Sequence, residues 1–192
     1  MKAQLWVIAG PNGSGKSTVV KRYLAGKLPV INPDDIARIE KVGPIQAGRL
    51  AIERQNRLLM RGKSFAFETT LSGKRELWVM QNARERGYKL NVIFLALDGP
   101  ALAVGRISGR VLAGGHDVPT RDVLRRFQRS IENLPAALAM ADRAFVFDNS
   151  GDRRRLLLSL DRGKVKMLRR DLPEWAKPYL SQYRGQDQSR TR

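Results

Sequence analysis

The run Gly10-Pro11-Asn12-Gly13-Ser14-Gly15-Lys16-Ser17-Thr18 satisfies G-x-x-x-x-G-K-[ST] at every fixed position. It follows the apolar stretch Leu5-Trp6-Val7-Ile8-Ala9, so a strand leads into the loop and a helix leaves it. Such a loop wraps a polyphosphate in backbone N–H groups. Gly10, Gly13 and Gly15 permit conformations and close approaches that side chains would block. Lys16 is placed to reach the β- and γ-phosphates and Ser17 to offer its hydroxyl to Mg²⁺, while the helix adds its positive end. The expected nucleotide-binding segment is therefore Gly10 to Thr18.

Phosphoryl transfer also needs a group that orients or deprotonates the acceptor, and positive charge over the transferred group. Asp34 and Asp35 follow the short apolar run Pro29-Val30-Ile31. A carboxylate there can take the proton of an acceptor hydroxyl held over the γ-phosphate. Asp is also favoured at helix starts; Asp34 comes first at the cleft, and Asp35 is left to cap or enter a helix near Ile36. Glu68 ends the apolar run Phe65-Ala66-Phe67, where a second carboxylate can face Mg²⁺ or substrate. Thr69, Thr70 and Ser72 add hydroxyls for a polar acceptor.

Positive charge is concentrated farther on. Arg106 and Arg110 share one helix face, as do Arg121, Arg125 and Arg129, with Arg126 beside them. Between them stand Gly114, Gly115 and His116, so the segment reads as an arginine-bearing lid on a flexible hinge. His116 is the single histidine and there is no cysteine. That rules out a zinc site in practice, as well as any disulfide.

The elements that must hold these residues follow from periodicity. Strands are expected at Leu5–Ala9, Pro29–Ile31, Lys63–Thr70, Lys89–Leu97 and Ala144–Phe147. Helices are expected at Ser17–Ala25, after Asp34, at Ile45–Met60, Lys74–Arg86, Ala101–Leu112, and from Pro119 through Arg129, with Pro135 kinking or ending the last. This alternation predicts an α/β fold: a P-loop NTPase-type parallel sheet of about five strands with helices on both faces. The polar clusters fall at the strands' carboxyl ends, where ligands bind in such sheets. Beyond it, Arg155–Leu160 and Val165–Leu168 read as a hairpin, and Leu172–Tyr183 as a short helix entered at Pro173. The expected organisation is a P-loop kinase domain over 1–150, a hairpin and helix packed on it over 151–184, and a frayed tail over 185–192.

Composition narrows the partners. The chain has 192 residues, with 36 Lys and Arg against 18 Asp and Glu, a net charge of +18. The excess is spread over both halves of the chain, so it is not a detachable basic tail. Such a field attracts polyanions, whether nucleotides, nucleotide-sugars, nucleic acid or an acidic protein. No apolar run is long enough to span a membrane, and Met1 to Gly10 reads as a strand entering the loop rather than a signal peptide. The cytoplasm is the expected compartment.

Taken together, the residues resemble the zeta toxin family of P-loop kinases in compact form. The resemblance rests on G-P-N-G-S-G-K-S-T (10–18), I-N-P-D-D-I-A (31–37), F-E-T-T-L-S-G (67–73), R-V-L-A-G-G-H-D-V-P (110–119) and F-D-N-S (147–150), in order over residues 1–150. It implies an ATP- or GTP-dependent kinase that uses Mg²⁺, phosphorylates the 3′-hydroxyl of UDP-N-acetylglucosamine, and is restrained by an antitoxin protein. It further implies Lys16 and Ser17 as the phosphate cradle, Asp34 as the acceptor base, Glu68 as a substrate-pocket carboxylate and Arg110 as a γ-phosphate arginine. The chain departs from the larger toxins in two ways. His116 takes the place of a second arginine before the lid proline, leaving Arg121, Arg125 or Arg126 to compensate, and the chain is shorter. The alternative from charge alone is a basic P-loop ATPase or a polynucleotide kinase acting on nucleic acid.

Overall fold

The central strand β1 (Gln4–Ala9) is the apolar run before the glycine loop, and Val7, Ile8 and Ala9 are fully buried. Consecutive burial of this kind marks a strand covered on both faces. A computed structural model describes residues 2–115 and 117–186, with nothing described of the Gln186 side chain. Helix α1 (Lys16–Tyr23) follows the loop, then β2 (Val30–Ile31), α2 (Pro33–Glu40), α3 (Pro44–Met60), β3 (Phe65–Thr69) and α4 (Lys74–Glu85). Strand β4 (Lys89–Ala96), α5 (Pro100–Leu112), α6 (Thr120–Glu132), α7 (Leu134–Met140) and β5 (Arg143–Asp148) complete the parallel part. The chain ends in β6 (Arg155–Asp161), β7 (Lys164–Leu168), α8 (Lys177–Leu180) and a 3₁₀ turn, Ser181–Gln186.

All strands lie in one sheet of order β2-β3-β1-β4-β5-β6-β7. The first five in that order run parallel, which puts the carboxyl ends of β1, β2, β3, β4 and β5 on one edge. Seven strands stand where about five were expected, because the C-terminal hairpin continues the sheet: β6 pairs antiparallel with β5, and β7 with β6. Leu158, Leu160 and Val165 are buried there, and the pairing covers what would otherwise be an open edge of β5. Leu157 is the extra residue of a bulge, since Val146 faces Leu158 and Phe147 faces Leu156.

Helices cover both faces unequally. Helices α3 to α7 pack against Leu5, Val7, Phe65, Phe67, Val92 and Phe94 in the larger core. On the other face, Val19 and Val20 of α1 and Leu24 just beyond it meet Ile8, Ala66 and Leu95.

Three local expectations are refined. The expected break at Pro135 is a second helix, α7, whose first turn accepts a proline because its N–H would be unpaired there anyway. The last helix starts at Lys177 with a proline in its first turn, rather than at Pro173. Asn32 caps α2, so Asp35 enters the helix rather than capping it: the Asn32 Oδ1 accepts the Asp34 N–H at 3.0 Å, and Pro33 opens the helix. Gly185 and Gln186 belong to the 3₁₀ turn, and residues 187–192 of the expected tail lie outside the described residues.

Candidate active site

The glycine loop is shaped as much by the sheet as by any ligand. Gly10 has φ 137°, and a Cβ there would stand 1.9 Å from the Leu95 carbonyl oxygen, so only glycine lets the loop leave β1 beside β4. Asn149, just past β5, donates from Nδ2 to the Ser14 carbonyl at 2.9 Å and ties the loop to the carboxyl edge. Lys16 folds back over its own loop, with Nζ donating to Gly10 O at 2.8 Å and Pro11 O at 2.9 Å. Burial lowers its pKa to about 8; Glu68 and Asp34 pull against that shift, and Arg110 adds to it.

Beside the lysine, Ser17 Oγ donates to Glu68 Oε2 at 2.9 Å, and Asn32 Nδ2 donates to Glu68 Oε1 at 3.1 Å. Glu68 is 9% exposed, and burial raises its pKa against the Ser17 bond, Lys16 and Asn32, with Asp35 adding to the rise. Asp34 lines the same cleft from the start of α2, whereas Asp35 forms an exposed ion pair with Arg38 at 3.2 Å. The cleft has a volume of about 650 Å³ and runs from the glycine loop between α3, α4 and the α5–α6 pair.

The cleft offers hard oxygen donors for Mg²⁺. Among the described residues no cluster of three or more His, Cys, Asp or Glu could hold a metal by itself. Ser17 and Glu68 fit the way Mg²⁺ is usually held, by one or two protein oxygens plus phosphates and water.

The other residues singled out from sequence divide. Thr69 and Thr70 line the cleft; Thr69 Oγ1 donates to Glu76 Oε1 at 3.1 Å, and the Thr70 and Ser72 hydroxyls lie 2.8 Å apart. Arg106 and Arg110 line it from α5, and Arg106 also donates to the Ser150 carbonyl at 3.3 Å. From α6 the lining residue is Arg126; Arg121 is exposed outside the cleft, and Arg125 is paired with Asp122 at 2.8 Å. His116 lies outside the described residues. Gly114 and Gly115 stop α5 where the sequence placed the break in the helix. Gly114 has φ 84°, its N–H meets Val111 O, and Gly115 N–H meets Arg110 O, the paired bonds of a Schellman motif.

Sequence reasoning missed four cleft features. Gln55 sits on the buried α3 stripe Ala47-Ala51-Gln55-Leu59, and a polar residue on an apolar stripe was the available signal. Arg75 and Glu76 of α4 had no such signal. The anchoring role of Asn149 depends on a contact across 135 residues.

No family model matches the chain. An uncharacterized protein of Haemophilus influenzae is 30% identical over 139 residues, 66% of this chain and 99% of that protein. Among solved structures, the crystal structure of AvrRxo1-ORF1:-ORF2 with ATP is similar at a TM-score of 0.70 and 18% identity. That likeness covers 95% of this chain, which spans only 64% of the AvrRxo1 chain. The PezAT chromosomal toxin–antitoxin system of Streptococcus pneumoniae is similar at a TM-score of 0.56 and 16% identity, over 80% of this chain and 73% of that one.

Proposed function

We propose that this chain, which belongs to the same family as the Haemophilus influenzae protein and has a zeta toxin-like P-loop kinase fold, is a nucleotide-dependent kinase. It moves the γ-phosphoryl group of ATP or GTP to a hydroxyl of a nucleotide-sugar, for which UDP-N-acetylglucosamine is the acceptor to test first. The observation that carries the reading is the Ser17–Glu68 hydrogen bond, with Lys16 and Asp34 in the same cleft. An exposed carboxylate, a buried carboxylate and a loop lysine facing one cavity are the parts a phosphoryl transfer needs.

In this reading Asp34 takes the proton of the acceptor hydroxyl as its oxygen bonds to the γ-phosphorus. The bond from that phosphorus to the β-γ bridging oxygen breaks, and the nucleoside diphosphate leaves with the electron pair. Lys16 exchanges its two carbonyl partners for phosphate oxygens, and Arg110 and Arg126 lie over the charge that spreads in the transition state. Ser17 and Glu68 would hold Mg²⁺, which neutralises charge on the phosphates when bound.

Two relatives in fold are described with partner proteins: AvrRxo1-ORF1 with ORF2, and PezAT as a toxin–antitoxin system. An acidic antitoxin suits a chain of net charge +18. No helix among the described residues is long and apolar enough to cross a membrane, and ATP supply supports a cytoplasmic location. The same charge favours the second reading, action on nucleic acid. Incubation with labelled ATP and a panel of nucleotide-sugars, RNA and DNA ends separates them. Label on a nucleotide-sugar supports the proposal; label on nucleic acid, or only on free phosphate, contradicts it.

A further inference from the structure

We infer that the acceptor end of the cleft is an anion-recognition site built on Arg75, and that the acceptor carries a phosphate or carboxylate besides the hydroxyl it presents to Asp34. This rests on the kinase reading above and adds a residue and a substrate class to it.

Arg75 and Glu76 stand in the first turn of α4, and both line the cleft. Arg75 Nη2 is buried and meets no hydrogen-bond partner from the protein. A buried guanidinium nitrogen left in that state is costly, and an anion brought by a ligand relieves it. The side chain is held on its other side by the Trp78 ring, whose centroid lies 5.8 Å from Cζ.

Two further polar groups line the same space. Glu76 Oε2 is buried without a partner, while Oε1 takes the Thr69 hydroxyl. Gln55 is 8% exposed and lines the cleft from α3. The cleft presents a cation, a carboxylate and an amide, which match an anionic group, a hydroxyl or amine donor, and a second polar group of one polyhydroxylated acceptor. Arg126 supplies a further positive charge across the cleft, with its Asp122 contact loose at 4.0 Å.

The test uses three probes of one skeleton: glucose 6-phosphate, gluconate and glucose. Each is titrated by ligand-observed NMR into the full chain saturated with Mg²⁺ and the non-hydrolysable analogue AMPPNP, so that the glycine loop is already filled. The expected result is that one of the two anions binds about tenfold or more tighter than glucose, the stronger telling phosphate from carboxylate. Arg75→Gln should erase that preference, with AMPPNP affinity kept within about twofold; Arg75→Lys should keep part of it. Equal binding of all three probes, no binding of either anion, or a preference that survives Arg75→Gln overturns the inference. Failure of the unmutated chain to bind AMPPNP would instead overturn the kinase reading itself, and the two failures are thereby distinguished.

Discussion

The Ser17 hydroxyl and the Glu68 carboxylate, 51 residues apart in sequence, meet at 2.9 Å at the carboxyl edge of the sheet. Strand order places them: β3, which ends in Glu68, lies directly beside β1, which feeds the glycine loop. A serine that donates to a carboxylate keeps its oxygen lone pairs free for a cation. Glu68→Gln replaces the anionic acceptor with a neutral one and leaves the volume unchanged. The expected outcome is a fall in kcat of about 10²-fold with an increased requirement for Mg²⁺, read from Mg²⁺ titrations of the reaction. An unchanged Mg²⁺ requirement contradicts the assignment.

Lys16 gives the account a pH dependence. With its pKa lowered to about 8 by burial, the side chain is an ammonium below that pH and increasingly neutral above it. Nucleotide phosphates favour the ammonium, so binding takes up a proton above pH 8. Affinity for metal-free ATP should fall by up to about tenfold per pH unit over that range. The sign for stability is opposite. Between about 8 and the ordinary lysine value of 10.5 the unfolded chain binds more protons than the folded one, so the nucleotide-free protein gains stability as pH rises. Calorimetric titration from pH 7 to 9.5 in buffers of different ionisation heat reads the proton uptake. Flat affinity across that range contradicts it.

The contact from Asn149 to the Ser14 carbonyl anchors the glycine loop to β5. Asn149→Ala removes one hydrogen bond, worth about 1 kcal/mol. Nucleotide Kd should rise by about three- to tenfold, with a small drop in Tm. A loss of Tm without any change in Kd would make the contact purely structural.

Gly115 is a second-hand test of Arg110. A Cβ at Gly115 would stand 2.6 Å from Arg110 Cγ and 2.9 Å from its carbonyl oxygen. Gly115→Ala therefore displaces the arginine stem without touching its charge. Arg110→Ala should cut kcat by about 10²-fold with nucleotide affinity nearly kept, because the charge matters most in the transition state. Gly115→Ala should move kcat in the same direction by less, and Arg125→Ala, whose side chain is engaged with Asp122, should leave it within about twofold. Equal losses in all three would place the arginines in a general electrostatic field instead.

Much of the fold was legible because its signals are local. The glycine loop, the β4 run and the apolar residues before Glu68 each announce themselves within ten residues. The C-terminal hairpin was legible as a hairpin, but its pairing with β5 was not. Turn chemistry fixes how two strands meet, while the choice of sheet edge depends on burying Leu158 and Leu160 against distant residues. The glycine pair at 114–115 shows a different limit. Its composition announces the end of the helix, but the capping bonds to Val111 and Arg110 are visible only in the structure. At the cleft, Gln55 was missed because a glutamine inside α3 gives by itself no local sign that its face is buried with Ala47, Ala51 and Leu59.

The central claim is that Asp34 receives the acceptor's proton, and the two neighbouring aspartates test it most directly. Asp34 lines the cleft, while Asp35 is exposed and paired with Arg38. Asp34→Asn keeps the size and much of the hydrogen bonding but loses the proton acceptor. Phosphoryl transfer to UDP-N-acetylglucosamine should fall by about 10² to 10⁴, with ATP still bound. Asp35→Asn breaks only an exposed ion pair and should leave the rate within about twofold. Side-by-side rates for the two variants give the answer: a dead Asp34→Asn beside an active Asp35→Asn is the predicted result, and an active Asp34→Asn contradicts the account.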